Sequence, residues 1–185
     1  RTFLKLTSSL MTGAALANLA SCRPQDRSAE KIKNWAGNLS YSTTNIWALE
    51  SVEELQSVVK KLPSCRTLGT RHCFNHIADS KENLVSTSKL NKVVALDRNK
   101  KTITVEGGMR YGEFCKNLND EGFAIHNLAS LPHISVAGAC ATATHGSGVG
   151  NGNLATPVSA IQFVAANGEV ISLSREKDGD KFYGA

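Results

Sequence analysis

Acidic and basic side chains are missing altogether from residues 127–153, although Asp, Glu, Lys and Arg make up 20% of the chain. A surface loop of that length normally carries charge, so the stretch is not an ordinary solvent-facing connector. Glycine and hydroxyl residues interrupt it throughout, which excludes a membrane span. No G-x-x-x-x-G-K-S/T occurs anywhere, which excludes the Walker type of phosphate loop. The run Gly146-Ser147-Gly148-Val149-Gly150-Asn151-Gly152 also fails as G-x-G-x-x-G. Started at Gly146 it meets Asn151 in place of the last glycine, and started at Gly148 it meets Asn153; no helix-forming run follows. Internal repeats are absent. Cys65, Cys73, Cys115 and Cys140 stand at spacings that match no zinc pattern, and Cys115 and Cys140 read as small core residues. No metal site is expected: His72 and His76 stand four apart, but the residues between them make a poor helix.

What is present in residues 127–153 is glycine, small residues, hydroxyls and two of the five histidines, His133 and His145. Such main chain can approach a guest closely and donate N–H and O–H groups to an anion, so a phosphate-bearing cofactor is the expected guest. A Gly-rich connector is the plain alternative.

The first residues read as an export signal. Arg1-Thr2-Phe3-Leu4-Lys5 resembles the second half of a twin-arginine motif, and a weakly apolar region follows to Ala20. Leu19-Ala20-Ser21-Cys22 resembles a lipobox, which makes Cys22 the expected lipidation site and the mature N-terminus; an ordinary secretory segment or amphipathic helix is the alternative. Residues 22–33 are polar and charged and read as a tether. The expected location is the periplasmic side of a bacterial membrane, reached through that lipid anchor. Removing residues 1–21 takes away Arg1 and Lys5 and lowers the net charge from +5 to +3. No cluster of five basic residues remains, so nucleic acid is not an expected partner.

Residues 34–185 mix helices and strands, which gives an α+β class. Ser51-Val52-Glu53-Glu54 reads as a capping box, with Ser51 as N-cap and Glu54 reaching back to it. Leu55, Val58, Val59 and Leu62 follow at helical spacing up to Pro63. Arg66-Thr67-Leu68 reads as a short buried strand, and Leu84-Val85-Ser86, Val93-Val94-Ala95-Leu96 and Thr102-Ile103-Thr104-Val105 as further strands. Gly107-Gly108 allows a tight entry to a helix that places Tyr111, Phe114, Cys115 and Leu118 on one face and ends at Gly122. Asn167-Gly168 between two β runs predicts a hairpin.

Three stretches carry a family resemblance: Thr67-Leu68-Gly69-Thr70-Arg71-His72-Cys73-Phe74-Asn75, Ser130-Leu131-Pro132-His133-Ile134-Ser135 and Thr144-His145-Gly146. With them the chain resembles the FAD-binding domain of the vanillyl-alcohol oxidase (PCMH-type) flavoproteins. The opening Asn34-Trp35-Ala36-Gly37-Asn38 and residues 129–152 are similar to the alditol (xylitol) oxidase branch, with the sugar-lactone oxidases, such as D-arabinono-1,4-lactone oxidase, next to it. The resemblance implies two small subdomains with the flavin between them, and a chain that stops short of a separate substrate domain holding the catalytic residues.

It also implies roles. His72 is similar to the histidine that binds the 8α-methyl of FAD covalently; Cys73 stands where Ser is usual and Arg71 where Gly is common. Thr67, Leu68, Gly69, Thr70, Arg71, His72 and Cys73 are expected to wrap the pyrophosphate and ribityl chain. Ser135, Gly138, Thr142, Ala143, Thr144 and His145 match positions that line the flavin. Ser130 matches a position that contacts both flavin and substrate. The implied reaction is oxidation of the CH–OH group of a polyol, with oxygen or another electron acceptor, yielding an aldose and hydrogen peroxide. A sugar-1,4-lactone oxidase or dehydrogenase, and a lipid-anchored protein that binds a ligand without chemistry, are the alternatives.

Overall fold

The computed structural model describes residues Lys31–Ala185; the expected signal segment, Cys22 as the expected lipidation site and the expected tether up to Glu30 lie outside the described residues. The compact unit starts at Lys31, so the last three residues expected in the tether belong to the domain. Lys33 bridges Ser40, and Ile32 packs on a small core of Tyr41, Leu68 and Leu84. Among the described residues no helix is long and apolar enough to cross a membrane.

Around that first core lies a three-stranded parallel sheet of β1 (Ile46–Ala48), β2 (Arg66–Leu68) and β3 (Leu84–Ser86), in the order β1-β3-β2. β3 is paired on both sides, with Val85 opposite Trp47 on one and Thr67 on the other. All three of its residues are buried, as a central parallel strand requires. β2 is an edge strand instead: only Leu68 is buried, and Arg66 and Thr67 are exposed, which corrects the expectation of a buried strand. The crossover from β1 to β2 carries helix α1 (Val52–Lys61). Ser51 caps α1 by accepting from the Glu54 N–H at 3.2 Å, but the Glu54 carboxylate bonds the Glu50 N–H at 2.9 Å, one residue earlier than a capping box predicts. Leu62 ends the helix in an extended conformation just before Pro63.

The second core holds Met109, Tyr111, Phe114, Leu118, Ile134, Ala139 and Leu154. It lies under the hairpin of β4 (Val93–Asp97) and β5 (Thr102–Val105), from which Leu96, Ile103 and Val105 reach in, and under helix α2 (Tyr111–Asp120). Tyr111, Phe114 and Leu118 are the buried face of α2, Cys115 flanks them, and Gly122 takes a φ of 78° just past the end, as the spacing predicts. The turn before α2 tolerates only glycine at Gly108, because a Cβ there would overlap the Thr87 carbonyl. A short helix α3 (Val136–Ala141) follows the Ser130–Ser135 motif, and only Ala139 of it is buried. The chain closes with the antiparallel pair β6 (Ala160–Val164) and β7 (Val170–Ser174), which turns at Asn167-Gly168, and with two one-turn helices, α4 (Arg175–Asp178) and α5 (Asp180–Tyr183). Gln56 of α1 donates to the Gly168 carbonyl at 2.7 Å and ties this hairpin to the first sheet.

Candidate functional site

The loop that leaves β2 is built in by backbone at each step. Leu68 anchors its start in the first core, and Thr87 N–H donates to the Leu68 carbonyl. Gly69 lies against Ser135: a Cβ on Gly69 would sit 2.8 Å from Ser135 Oγ. The Thr70 hydroxyl accepts from the Ser135 N–H at 3.2 Å. Arg71 adopts a φ of 64°, a left-handed conformation uncommon for a residue with a side chain, and its carbonyl accepts from the Trp35 N–H at 2.8 Å. The Arg71 guanidinium donates to the Lys33 carbonyl, and Asn34 Nδ2 donates to the Cys73 carbonyl at 3.0 Å. Asn34 is itself buried and also reaches Asn38, so the 34–38 segment works as a clasp over the 71–73 backbone.

An aromatic cluster joins the clasp, the loop and the Ser130–Ser135 stretch, with Trp35 on its exposed side. The Trp35, His72 and His133 rings touch one another, with centroids 4.9 Å apart for Trp35–His72, 5.5 Å for Trp35–His133 and 4.5 Å for His72–His133. Both ring nitrogens of His72 and Nε2 of His133 are buried without a hydrogen-bond partner. Each unpaired buried polar atom costs about 1–3 kcal/mol, so their concentration in one spot marks a place shaped for something other than stability. Burial, followed by the neighbouring His133, holds the His72 imidazole below its ordinary pKa, and it is therefore neutral with a free lone pair at neutral pH. Burial pushes the Cys73 thiol up, which keeps it protonated and leaves the imidazole as the better nucleophile of the two.

The second wall is α3 and its flanks. Ser135 is 2% exposed and stands at the N-cap; its hydroxyl is flanked by Gly69 on one side and by Gly138, where a Cβ would lie 2.9 Å away, on the other. Past the helix, Thr142 donates to the Gly138 carbonyl and shares a 3.1 Å hydroxyl contact with Thr144. Ala143 takes a φ of 51°, and the Thr144 carbonyl accepts from the Leu154 N–H. The His145 ring is exposed, with Nδ1 2.9 Å from its neighbour's carbonyl at Gly146. Ser130 is exposed, three residues ahead of His133.

Of the residues singled out by sequence, Gly69, Thr70, Ser135 and Gly138 thus meet directly at one junction, with His72 beside it. Thr142 caps the C-terminus of α3, and Ala143, Thr144 and His145 follow it in the chain. His133 and Trp35 are members of the cluster that sequence reasoning did not assign; the signal for His133 was its place inside the uncharged stretch. Small residues around the Ser135 hydroxyl and orphaned imidazole nitrogens suit a flat, anionic cofactor held by main chain and by one histidine.

Comparison with known proteins agrees with that geometry. A family model described as an FAD binding domain matches residues 45–174. The alditol oxidase of a Streptomyces species is 40% identical over 146 residues, covering 77% of this chain and 35% of the relative. A putative D-arabinono-1,4-lactone oxidase of Neurospora crassa is 31% identical over 163 residues, covering 86% and 29%. Among solved structures, the xylooligosaccharide oxidase of Myceliophthora thermophila in complex with xylobiose superposes with a TM-score of 0.67 at 20% identity, over 82% of this chain and 34% of that one. The chain therefore spans about a third of the length of the curated relatives it matches. Family model, relatives and fold together show that the chain belongs to the FAD-binding domain family of the vanillyl-alcohol oxidase (PCMH) type.

Proposed function

We propose that the full-length protein is an FAD-dependent oxidoreductase that oxidises the CH–OH group of an alditol with oxygen as acceptor, giving an aldose and hydrogen peroxide. The observation that carries the reading is His72: a neutral imidazole, both nitrogens unpaired, on a loop held rigidly by Asn34, Trp35 and Ser135. Bound FAD supplies two-electron acceptance from the carbinol carbon and its own reoxidation by dioxygen. The chain's residues supply position. His72 holds the flavin covalently, and the 67–73 backbone, with Gly69 permitting close approach, wraps the pyrophosphate and ribityl chain. Ser135, Gly138, Thr142, Ala143, Thr144 and His145 line the flavin, and the Ser130 hydroxyl hydrogen-bonds a substrate hydroxyl.

The 40% identity to the Streptomyces alditol oxidase supports reading the substrate as a polyol rather than a lactone. The second reading, a sugar-1,4-lactone oxidase or dehydrogenase, is supported by the Neurospora relative. Purified full-length protein offered alditols and aldono-1,4-lactones in parallel separates them: peroxide formed with alditols alone supports the first reading, and turnover of lactones alone overturns it. Export and lipid anchoring at Cys22 are proposed from the 19–22 sequence; labelling with a fatty acid, lost in Cys22→Ser, is the test.

A further inference from the structure

We propose that Asn34 is the positioning residue for His72: its side-chain amide holds the loop backbone so that the imidazole is aimed for attachment to the flavin. The proposal rests on the reading of His72 as the attachment point. Hydrogen bonds do not aim the ring itself, because both of its nitrogens are without a partner. Its direction comes from the backbone beneath it and from packing against Trp35 and His133.

That backbone is held on both sides. The carbonyl before His72, on Arg71, accepts from the Trp35 N–H at 2.8 Å. The carbonyl after it, on Cys73, accepts from Asn34 Nδ2 at 3.0 Å. Two adjacent residues of one segment thus grip the groups that flank His72. The grip works against a cost: Arg71 stands at a φ of 64°, a conformation that costs a residue with a side chain about 1–3 kcal/mol and persists only when its surroundings hold it. The Trp35 bond is main chain and any residue there but proline could make it. The Asn34 bond belongs to a side chain and is therefore specific to the sequence.

Asn34 is 5% exposed, and each polar group of its amide is committed. Oδ1 accepts from the Leu39 N–H at 3.1 Å, and Nδ2 donates to Asn38 Oδ1 at 2.9 Å as well as to Cys73. Its main-chain N–H donates to the Leu39 carbonyl. The bonds to residues 38 and 39 close a local turn, whereas the bond to Cys73 spans 39 residues and serves the loop. The turn fixes the amide, and the amide then fixes the loop, an arrangement that supports a reacting group from behind.

Attachment joins a ring nitrogen of His72 to the 8α carbon of the flavin. His72 gives up its N–H proton, and one methyl C–H bond breaks with release of a second proton. The two electrons pass through the flavin to dioxygen, which takes both protons and leaves as hydrogen peroxide. Asn34 takes no part in these bond changes; it sets the distance and direction from which the nitrogen meets the carbon.

The test uses full-length protein produced without flavin and mixed with saturating FAD in air. Bound flavin is read by absorbance, and the attached fraction over time by acid precipitation and gel fluorescence. Asn34→Asp keeps an acceptor for the Leu39 N–H but loses the donor to Cys73. It is expected to bind FAD yet attach it on the order of tenfold to a hundredfold more slowly, the scale on which small misplacements act. Asn34→Ser, with a shorter side chain, is expected to behave alike. Ser51→Ala, which loses a helix cap on α1, is expected to attach FAD at the parent rate, because lost stability alone does not misaim His72. Attachment by both Asn34 variants at the parent rate, or equal slowing in Ser51→Ala, overturns the proposal. If both Asn34 variants keep the fold by circular dichroism yet bind no FAD at any concentration, Asn34 is a binding residue and the proposal fails. A parent protein that releases all its flavin into acid overturns the attachment reading itself, a result distinct from the others.

Discussion

The Ser135 hydroxyl sits where a Cβ on Gly69 would come within 2.8 Å of it, and it is almost wholly buried. A Cβ on Gly138 would lie 2.9 Å from the same oxygen, so the hydroxyl is flanked by two positions that glycine keeps open. Two motifs far apart in sequence are joined at this point.

Gly69→Ala is expected to push the two motifs apart, with a loss of about 1–3 kcal/mol of stability and weaker FAD binding. Removing the hydroxyl relieves the clash, because Ser135 Cβ itself is 4.0 Å from the added methyl. A double-mutant cycle with Ser135→Ala, read by denaturant midpoints, is expected to show a compensating interaction, and strict additivity would count against the contact.

Gly108→Ala is expected to be more damaging than any other glycine change near the second core. Its new methyl would overlap the Thr87 carbonyl, which is backbone and cannot rotate aside. Losses above about 4 kcal/mol, or insoluble expression, are the expected outcome. Gly150→Ala, with nothing near its position, serves as the silent control.

Ser51→Ala removes the side-chain acceptor for the Glu54 N–H. The expected loss is about 1 kcal/mol, seen as a lower denaturant midpoint, while Ser51→Asp is expected to retain most of the stability.

A pH dependence follows from His72 in flavin-free protein. Burial and His133 hold its pKa below the ordinary 6.5. Between the lowered folded value and the ordinary unfolded one, the unfolded chain binds the proton and the folded one does not. Stability is therefore full above the ordinary imidazole range and falls as the pH drops through that window. Urea midpoints at about pH 7.5 and about pH 5.5 are expected to differ more in the parent than in His72→Phe; an equal difference in both contradicts the assignment.

Local features were legible in the sequence because short-range chemistry decides them. Ser51 and Pro63 bracket α1, Gly122 ends α2, and Asn167-Gly168 turns β6 into β7. Features set by distant partners were not. β1 is a three-residue strand with no alternation of its own, and it exists because Leu84 to Ser86 pair with it. The Thr87 carbonyl explains Gly108 only once β3 has been placed beside the turn. Likewise His72 was recognisable from its loop, while its contact with Trp35 and His133 depends on three separate segments converging. Glu54 is an intermediate case: the residue type was readable, but the choice between the Ser51 and Glu50 N–H groups is one of local side-chain geometry.

The central claim is that His72 carries the flavin, and peptide mass spectrometry tests it most directly. Trypsin cuts after Arg71 and Lys81, so one peptide holds both His72 and His76. From full-length protein, that peptide is predicted to carry the added mass of FAD, with fragmentation placing it on His72. An unmodified peptide from flavin-loaded protein, or a flavin localised to His76, would contradict the account.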